Sequence, residues 1–189
     1  SVKSKTVILR EAVSITKQPK NVQTQSGNTV KVTVKASGDG LKYQWYVKNA
    51  GDAKFTKSSV TKATYSTKMR EAAQERQIYC VVTDAYGKTA KTKTVTLGMT
   101  VSITKQPQSV AVEEGKTAKV TVKAIGDGLT YTWYFSDVDD ATFKKTSTFK
   151  GNTYSVKMNE ARDGRLVYCV ITDAYGNKVA TDVVSLKMK

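Results

Sequence analysis

The chain has 189 residues, 31 Lys and Arg against 16 Asp and Glu, two Cys and no His. Without His there is no Ser-His-Asp triad, Cys-His dyad, His metal ligand or histidine pH switch, and two Cys cannot supply a four-ligand zinc site. No apolar run approaches the ~18 residues of a membrane span, and with neither a signal peptide nor an initial Met the chain is expected to be an excised piece of a longer protein.

The chain repeats itself. Residues 1–12 align with the end of a repeat: Lys3 to Leu9 line up with Lys91 to Leu97. They are expected to be the last strand of an upstream copy, held by β-addition to a sheet edge if ordered. Val13-Ser-Ile-Thr-Lys-Gln-Pro19 then recurs as Val101 to Pro107, and Lys31-Val-Thr-Val-Lys-Ala36 as Lys119 to Ala124. Trp45-Tyr46 recurs as Trp133-Tyr134, Tyr79-Cys-Val81 as Tyr168 to Val170, and Thr83-Asp-Ala-Tyr-Gly87 as Thr172 to Gly176. More than half of the positions from Val13 to Thr100 are identical in the second copy, which carries one extra residue near Gly151. The chain divides as 1–12, repeat one at 13–100 and repeat two at 101–189.

Within a copy the apolar pattern has the period of a strand. Pro19 falls where a first strand breaks or sits on an edge. Val30, Val32, Val34 and Ala36 share one face of a second strand, with Lys31, Thr33 and Lys35 on the other. Gly38-Asp-Gly40 is a tight turn requiring positive φ. Leu41, Tyr43, Trp45 and Val47 point inward along the next strand, followed by a strand at Thr64–Met69. Arg70–Arg76 is the one stretch with helical composition, long enough for one or two turns. Ile78, Cys80 and Val82 face the core, and Asp84–Gly87 forms a hairpin turn. The last strand, Lys88–Leu97, has conflicting parity, which a bulge would resolve. Seven or so short strands in each copy describe a β-sandwich.

Trp45, Cys80, Asp84 and Gly87, repeated as Trp133, Cys169, Asp173 and Gly176, resemble the immunoglobulin-like pattern of a third-strand Trp, a sixth-strand Cys and a hairpin Gly. Two features depart from it. The partner Cys is replaced by Val34 and Val122, and the corner Tyr position holds Ile78 or Val167. The wording of the repeat is similar to the disulfide-free immunoglobulin-like repeats of surface proteins of Gram-positive bacteria. That resemblance implies an all-β fold of two tandem immunoglobulin-like sandwiches, a core of Val34, Trp45 and Cys80 (Val122, Trp133 and Cys169) without a disulfide, and a stalk-like or ligand-adjacent placement at the cell surface. The short junction Leu97–Val101 leads us to expect an elongated pair.

Three features compete with plainer explanations. Each Cys is lone and inward by alternation, which fits a buried thiol; an interchain disulfide or a redox role is the other reading. Asp137, Asp139 and Asp140 crowd one loop of repeat two, as a solvated acidic loop or as Ca²⁺ ligands. Tyr46 and Tyr79, with Tyr134 and Tyr168, alternate outward on neighbouring strands, flanked in repeat one by Lys42, Gln44 and Lys48. They form either a sheet-stabilising or loop-covered pair, or a face for sugars, acidic polymers or the same face of another molecule. Basicity is uneven: residues 13–100 hold 15 basic and 5 acidic side chains, residues 101–189 hold 13 and 10. Lys far outnumbers Arg, and no nucleic-acid signature occurs, so cell-wall polymers or acidic glycans are the expected polyanions.

The sequence therefore points to a non-catalytic, secreted or cell-wall-associated spacer or adhesion scaffold without cofactor or metal. Its partners are adjacent repeats of the same chain and, outside it, cell-wall polymers, glycans or host surface proteins. A carbohydrate- or polyanion-binding module is the alternative.

Overall fold

The computed structural model describes residues 9–140 and 142–189. The chain separates into two compact units, Ser1–Gly98 and Met99–Lys189. The strand expected over residues 3–9 lies outside the described residues except for Leu9, which is exposed.

The first unit is a two-layer β-sandwich. Its strands are β1 (Ser14–Lys17), β2 (Val22–Thr24), β3 (Thr29–Thr33), β4 (Lys35–Ser37), β5 (Lys42–Lys48), β6 (Thr56–Lys57), β7 (Thr64–Lys68), β8 (Arg76–Thr83), β9 (Thr89–Lys91) and β10 (Val95–Met99), whose last residue, Met99, already counts with the second unit. One layer pairs β1 with β4 and β3 with β7. The other runs β2-β10-β8-β5-β6, with β9 also on β8. The first strand changes layers at buried Pro19, where no N–H is available to continue a ladder. Gln18 and Asn21 complete the switch, their side-chain oxygens accepting from the Lys93 and Thr96 amides at 2.9 Å each.

The inward residues close the core: Val30, Val32, Val34, Trp45, Ile78, Cys80 and Val82 are all buried. Val34 interrupts the second strand between β3 and β4, donating its N–H to Ala63 O at 3.0 Å. The indole N–H of Trp45 donates to Lys62 O at 2.8 Å, which pins the loop before β7. Cys80 lies opposite Trp45 in the β5–β8 register. Both thiols are free and buried.

The second unit repeats this plan. Its strands are β11 (Ser102–Lys105), β12 (Val110–Val112), β13 (Thr117–Thr121), β14 (Lys123–Ile125), β15 (Thr130–Ser136), β16 (Lys144–Lys145), β17 (Thr153–Lys157), β18 (Leu166–Thr172), β19 (Lys178–Ala180) and β20 (Val184–Met188). β12 runs parallel to β20. Val122, Trp133 and Cys169 are buried, and the Trp133 indole donates to Gly151 O at 2.9 Å.

Two local expectations resolve in opposite ways. Arg70–Arg76 is not one or two turns of helix. Only Glu71–Ala73 forms a 3₁₀ turn, Glu75 takes a left-handed φ of 54°, and Arg76 opens β8 opposite Leu97. Strand pairing claims Arg76, so the helix-forming residues before it have no length in which to propagate. The last strand does carry a bulge. β9 pairs Val81 with Lys91, while β10 pairs Ile78 with Val95, a slip of one residue. Thr92 fills the break: its N–H donates to Cys80 O, its hydroxyl accepts from Cys80 N, and the same hydroxyl donates to Lys93 O, each at 2.9 Å. Thr181 does the same against Cys169. The slip sends Lys91 outward and Val95 and Leu97 inward.

Candidate functional site

β5 and β8 carry the outward tyrosines, and their antiparallel register sets Tyr46 opposite Tyr79. The rings stack at 4.9 Å between centroids with 9° between planes. Phe55 meets the Tyr79 ring edge-on at 4.8 Å. Lys91, sent outward by the bulge, places Nζ 4.0 Å from the Tyr79 centroid, and Lys48 Nζ lies 6.0 Å from that of Phe55. Both contacts are cation–π geometry. Repeat two has the same frame: Tyr134 stacks on Tyr168 at 5.0 Å and 8°, with Phe143 edge-on at 4.9 Å. There the residue matching Lys91 is Ala180 and that matching Lys48 is buried Ser136. Among the described residues, two lysine cation–π contacts thus belong to the repeat-one cluster and none to its twin.

Of the sequence-expected face, Tyr46, Tyr79 and Lys48 come together in repeat one, and Tyr134 and Tyr168 in repeat two. Lys42 does not join them. It is exposed at the far end of β5 opposite Thr83, four residues or about 13 Å along the strand from Tyr46. It lines instead a cavity of about 450 Å³ with Leu41, Tyr43, Gln44, Thr61 and Thr83. Gln44 is tied down, its amide donating to Ser58 O at 2.7 Å and Trp45 O at 2.9 Å. Phe55, Phe143 and Lys91 belong to the clusters but had no role in the sequence reading. The two Phe occupy matching positions in both copies, a signal that was available. Lys91 could not be placed without the bulge.

Burial, with Tyr46 adding to it, raises the Tyr79 phenol above its ordinary value, so it stays neutral near neutral pH. Burial pushes the Cys80 thiol up to about 11 and the Cys169 thiol up to about 12, which leaves both protonated and unreactive near neutral pH.

The acidic loop of repeat two turns two of its three carboxylates toward the protein's own cations, while Asp139 is exposed. Asp137 accepts from Arg165 Nε at 2.6 Å, and Asp140 pairs with Lys144 at 2.6 Å. Asp140 also accepts from the Thr142 N–H at 2.9 Å. Among the described residues no group of three or more His, Cys, Asp or Glu side chains converges as a metal cage.

A different pair of carboxylates grips the segment leading into each repeat. Asp84 Oδ2 accepts from Val13 N at 3.2 Å, and Asp39 Oδ2 from Glu11 N at 3.1 Å. Asp39 N–H donates back to Glu11 O at 3.2 Å. In the second unit Asp173 accepts from Val101 N at 3.0 Å, Asp127 accepts from Met99 N at 2.9 Å, and Asp127 N–H donates to Met99 O at 2.9 Å. The tyrosines of the hairpin turns, Tyr86 and Tyr175, donate their hydroxyls to Asp39 and Asp127.

With this geometry the molecule is similar to solved tandems of Ig domains. A Dscam structure from work on isoform specificity has a TM-score of 0.66 at 14% identity, over 96% of this chain and 47% of that one. The N-terminal four Ig domains of Dscam1 isoform 7.44 give 0.66 at 15%, over 98% and 48%. A structure of Dpr11 IG1 bound to DIP-gamma gives 0.53 at 16%, over 93% and 98%. This chain has the fold of two tandem Ig-like domains. It spans about half the length of the Dscam chains it matches, and at these identities the likeness is one of fold. No family profile and no curated protein matches the sequence. Among the described residues no helix is long and apolar enough to cross a membrane.

Proposed function

We propose that the chain is a non-catalytic segment of a secreted or cell-wall-associated bacterial surface protein. It serves as a spacer or adhesion scaffold built from disulfide-free Ig-like repeats, residues 13–100 and 101–189, with residues 1–12 as the last strand of a preceding copy. The observation that carries this reading is the lead-in grip. Both copies spend two carboxylates on the N–H groups of the chain entering the domain. A repeat strung in series needs its incoming strand fixed, and carboxylate-to-amide bonds are among the stronger ways to fix one. The core supports it, since the cysteine face is filled by Val34 and Val122 rather than by a cross-link.

The spacer reading is tested by placing the chain between a cell-surface anchor and a reporter domain that captures large beads. Capture is expected to persist when Tyr46, Tyr79, Tyr134 and Tyr168 are all changed to Ala. Loss of capture in that variant, with the reporter still folded, contradicts a spacer role.

A second reading is favoured by the stacked tyrosines. Stacked aromatic rings can bind the apolar faces of sugars, and Lys48 and Lys91 add attraction for acidic ones. On a glycan array, neutral sugars should then be lost with Y134A/Y168A and acidic sugars with Y46A/Y79A. An array signal indifferent to both pairs removes this reading.

A further inference from the structure

Arg76 and Arg165 occupy the same position in the two repeats, four residues before the core Cys, and both do the same structural work. Each donates from Nη1 to a core tyrosine hydroxyl, Tyr65 or Tyr154, at 3.1 Å. Their counter-ions differ. Arg165 Nε meets the Asp137 carboxylate at 2.6 Å, and its guanidinium also lies 4.6 Å from the Phe135 centroid. Arg76 Nε meets the neutral amide oxygen of Asn49 at 2.8 Å, and its Nη2 donates to Ala72 O at 3.0 Å. Among the described residues the only two ion pairs are in repeat two, so Arg76 holds its half-buried charge with no carboxylate against it. Two of its five N–H groups remain for a ligand.

The side chains around Arg76 add to this imbalance. A cavity of about 280 Å³ opens beside it, lined by Thr67, Lys68, Arg70, Ala72, Ala73 and Arg76. Three cations and one hydroxyl thus border a single hollow. Glu71 and Glu75 sit on the same turn but are exposed, line no part of the cavity and pair with neither arginine. In repeat two the matching positions are Val156, Lys157, Asn159, Ala161, Arg162 and Arg165, and Arg162 Nη1 is turned to Lys157 O at 2.5 Å.

We propose that the cavity between β7 and β8 of repeat one is an oxyanion site for a phosphate or sulfate group carried on an acidic polymer. Arg76 is the fixed anchor, with its fork aimed by Tyr65 and Asn49. Arg70 and Lys68 close over the anion from the rim. A planar guanidinium with two free donors suits a tetrahedral oxyanion, and partial burial strengthens the attraction by lowering the local dielectric. Repeat two has satisfied the same arginine internally and lacks Arg70, so it is the built-in control. This site is separate from the tyrosine face and stands or falls without it.

The test is an NMR titration of the whole chain with inorganic phosphate and inorganic sulfate at constant ionic strength. Saturable shifts of the Arg70, Ala73 and Arg76 amides are expected, with none at Asn159, Arg162 and Arg165. Asn49→Asp recreates the arrangement that repeat two already tolerates and should weaken binding at least about tenfold, as a full charge close by on the anchor can. Arg70→Asn, a change on an exposed turn, should weaken it severalfold while the repeat-two resonances hold still. A glycerol-phosphate oligomer and a sulfated disaccharide identify the source, and either binding more tightly than its free anion supports the proposal. Non-saturating shifts spread over both repeats, binding unchanged in folded Asn49→Asp, or no gain from either carrier would overturn it.

Discussion

Replacing Thr92 by Val tests the bulge that shapes the last strand and, through it, the tyrosine face. The substitution keeps the side-chain shape and removes one buried oxygen. That oxygen accepts from Cys80 N and donates to Lys93 O, both at 2.9 Å, and Thr92 is 4% exposed. Lys93 O lies near solvent and recovers a water partner; the Cys80 N–H, in the middle of the core strand, does not. Losing one net hydrogen bond costs about 1 kcal/mol and stranding a buried donor costs about 1–3 more, so roughly 2–4 kcal/mol is expected. For a domain of this size that lowers the melting temperature by about 8 °C or more. Amide exchange at Cys80 should rise in step, and Thr181→Val should do the same at Cys169. Because Lys91 reaches the Tyr79 ring only through the bulge, Thr92→Val should also shift the Tyr79 ring resonances. A loss of stability below about 0.5 kcal/mol, with Cys80 exchange unchanged, would refute the assignment of the hydroxyl as the bulge lock.

Acid should unfold the repeats through Asp84 and Asp173. Burial works against their charge, but N–H donors from Lys88, Tyr86 and Val13, and from Asn177, Val101 and Tyr175, hold both carboxyls below the usual value. Their stabilisation is therefore complete above about pH 4 and is lost as pH falls through the lowered folded-state values. Circular dichroism from pH 7 to 2 should show this, with Asp84→Asn and Asp173→Asn flattening the profile. Cys80 and Cys169 should resist a thiol reagent at pH 8 and react once guanidinium unfolds the chain; rapid labelling of the native protein would contradict their burial. Gly126→Ala should destabilise by more than about 1 kcal/mol, because φ is 148° and a Cβ would sit 2.9 Å from Val101 Cα. An unchanged melting temperature would show that the backbone yields there.

The sandwich was legible because its signals are local and repeated. Alternation along β3, β5 and β8 assigned the core-facing side chains without any partner strand being known. The Asp84–Gly87 turn announced its hairpin, with Asp84 Oδ1 accepting from Tyr86 N and Lys88 N at 2.9 Å each. What was not legible depends on registers that the sequence does not record. Arg70–Arg76 has helix-forming side chains, yet pairing with β10 takes its last residue. Lys91 sat on the wrong parity until the slip at Thr92 turned it outward. Lys42 lies on the same face as Tyr46, but distance along β5 separates them. The partner exchange at Arg76 was hidden for another reason. Asn49 and Asp137 align in sequence, but only the fold shows that both meet the arginine of the facing strand.

The central claim is a series of independent repeats held without covalent cross-links. Single-molecule force spectroscopy of the 189-residue chain tests it most directly. Two separate unfolding events are expected, each releasing close to the roughly 300 Å of an extended repeat, with lengths and forces unchanged by reductant. One merged event, or a contour length that grows when reductant is added, would contradict it.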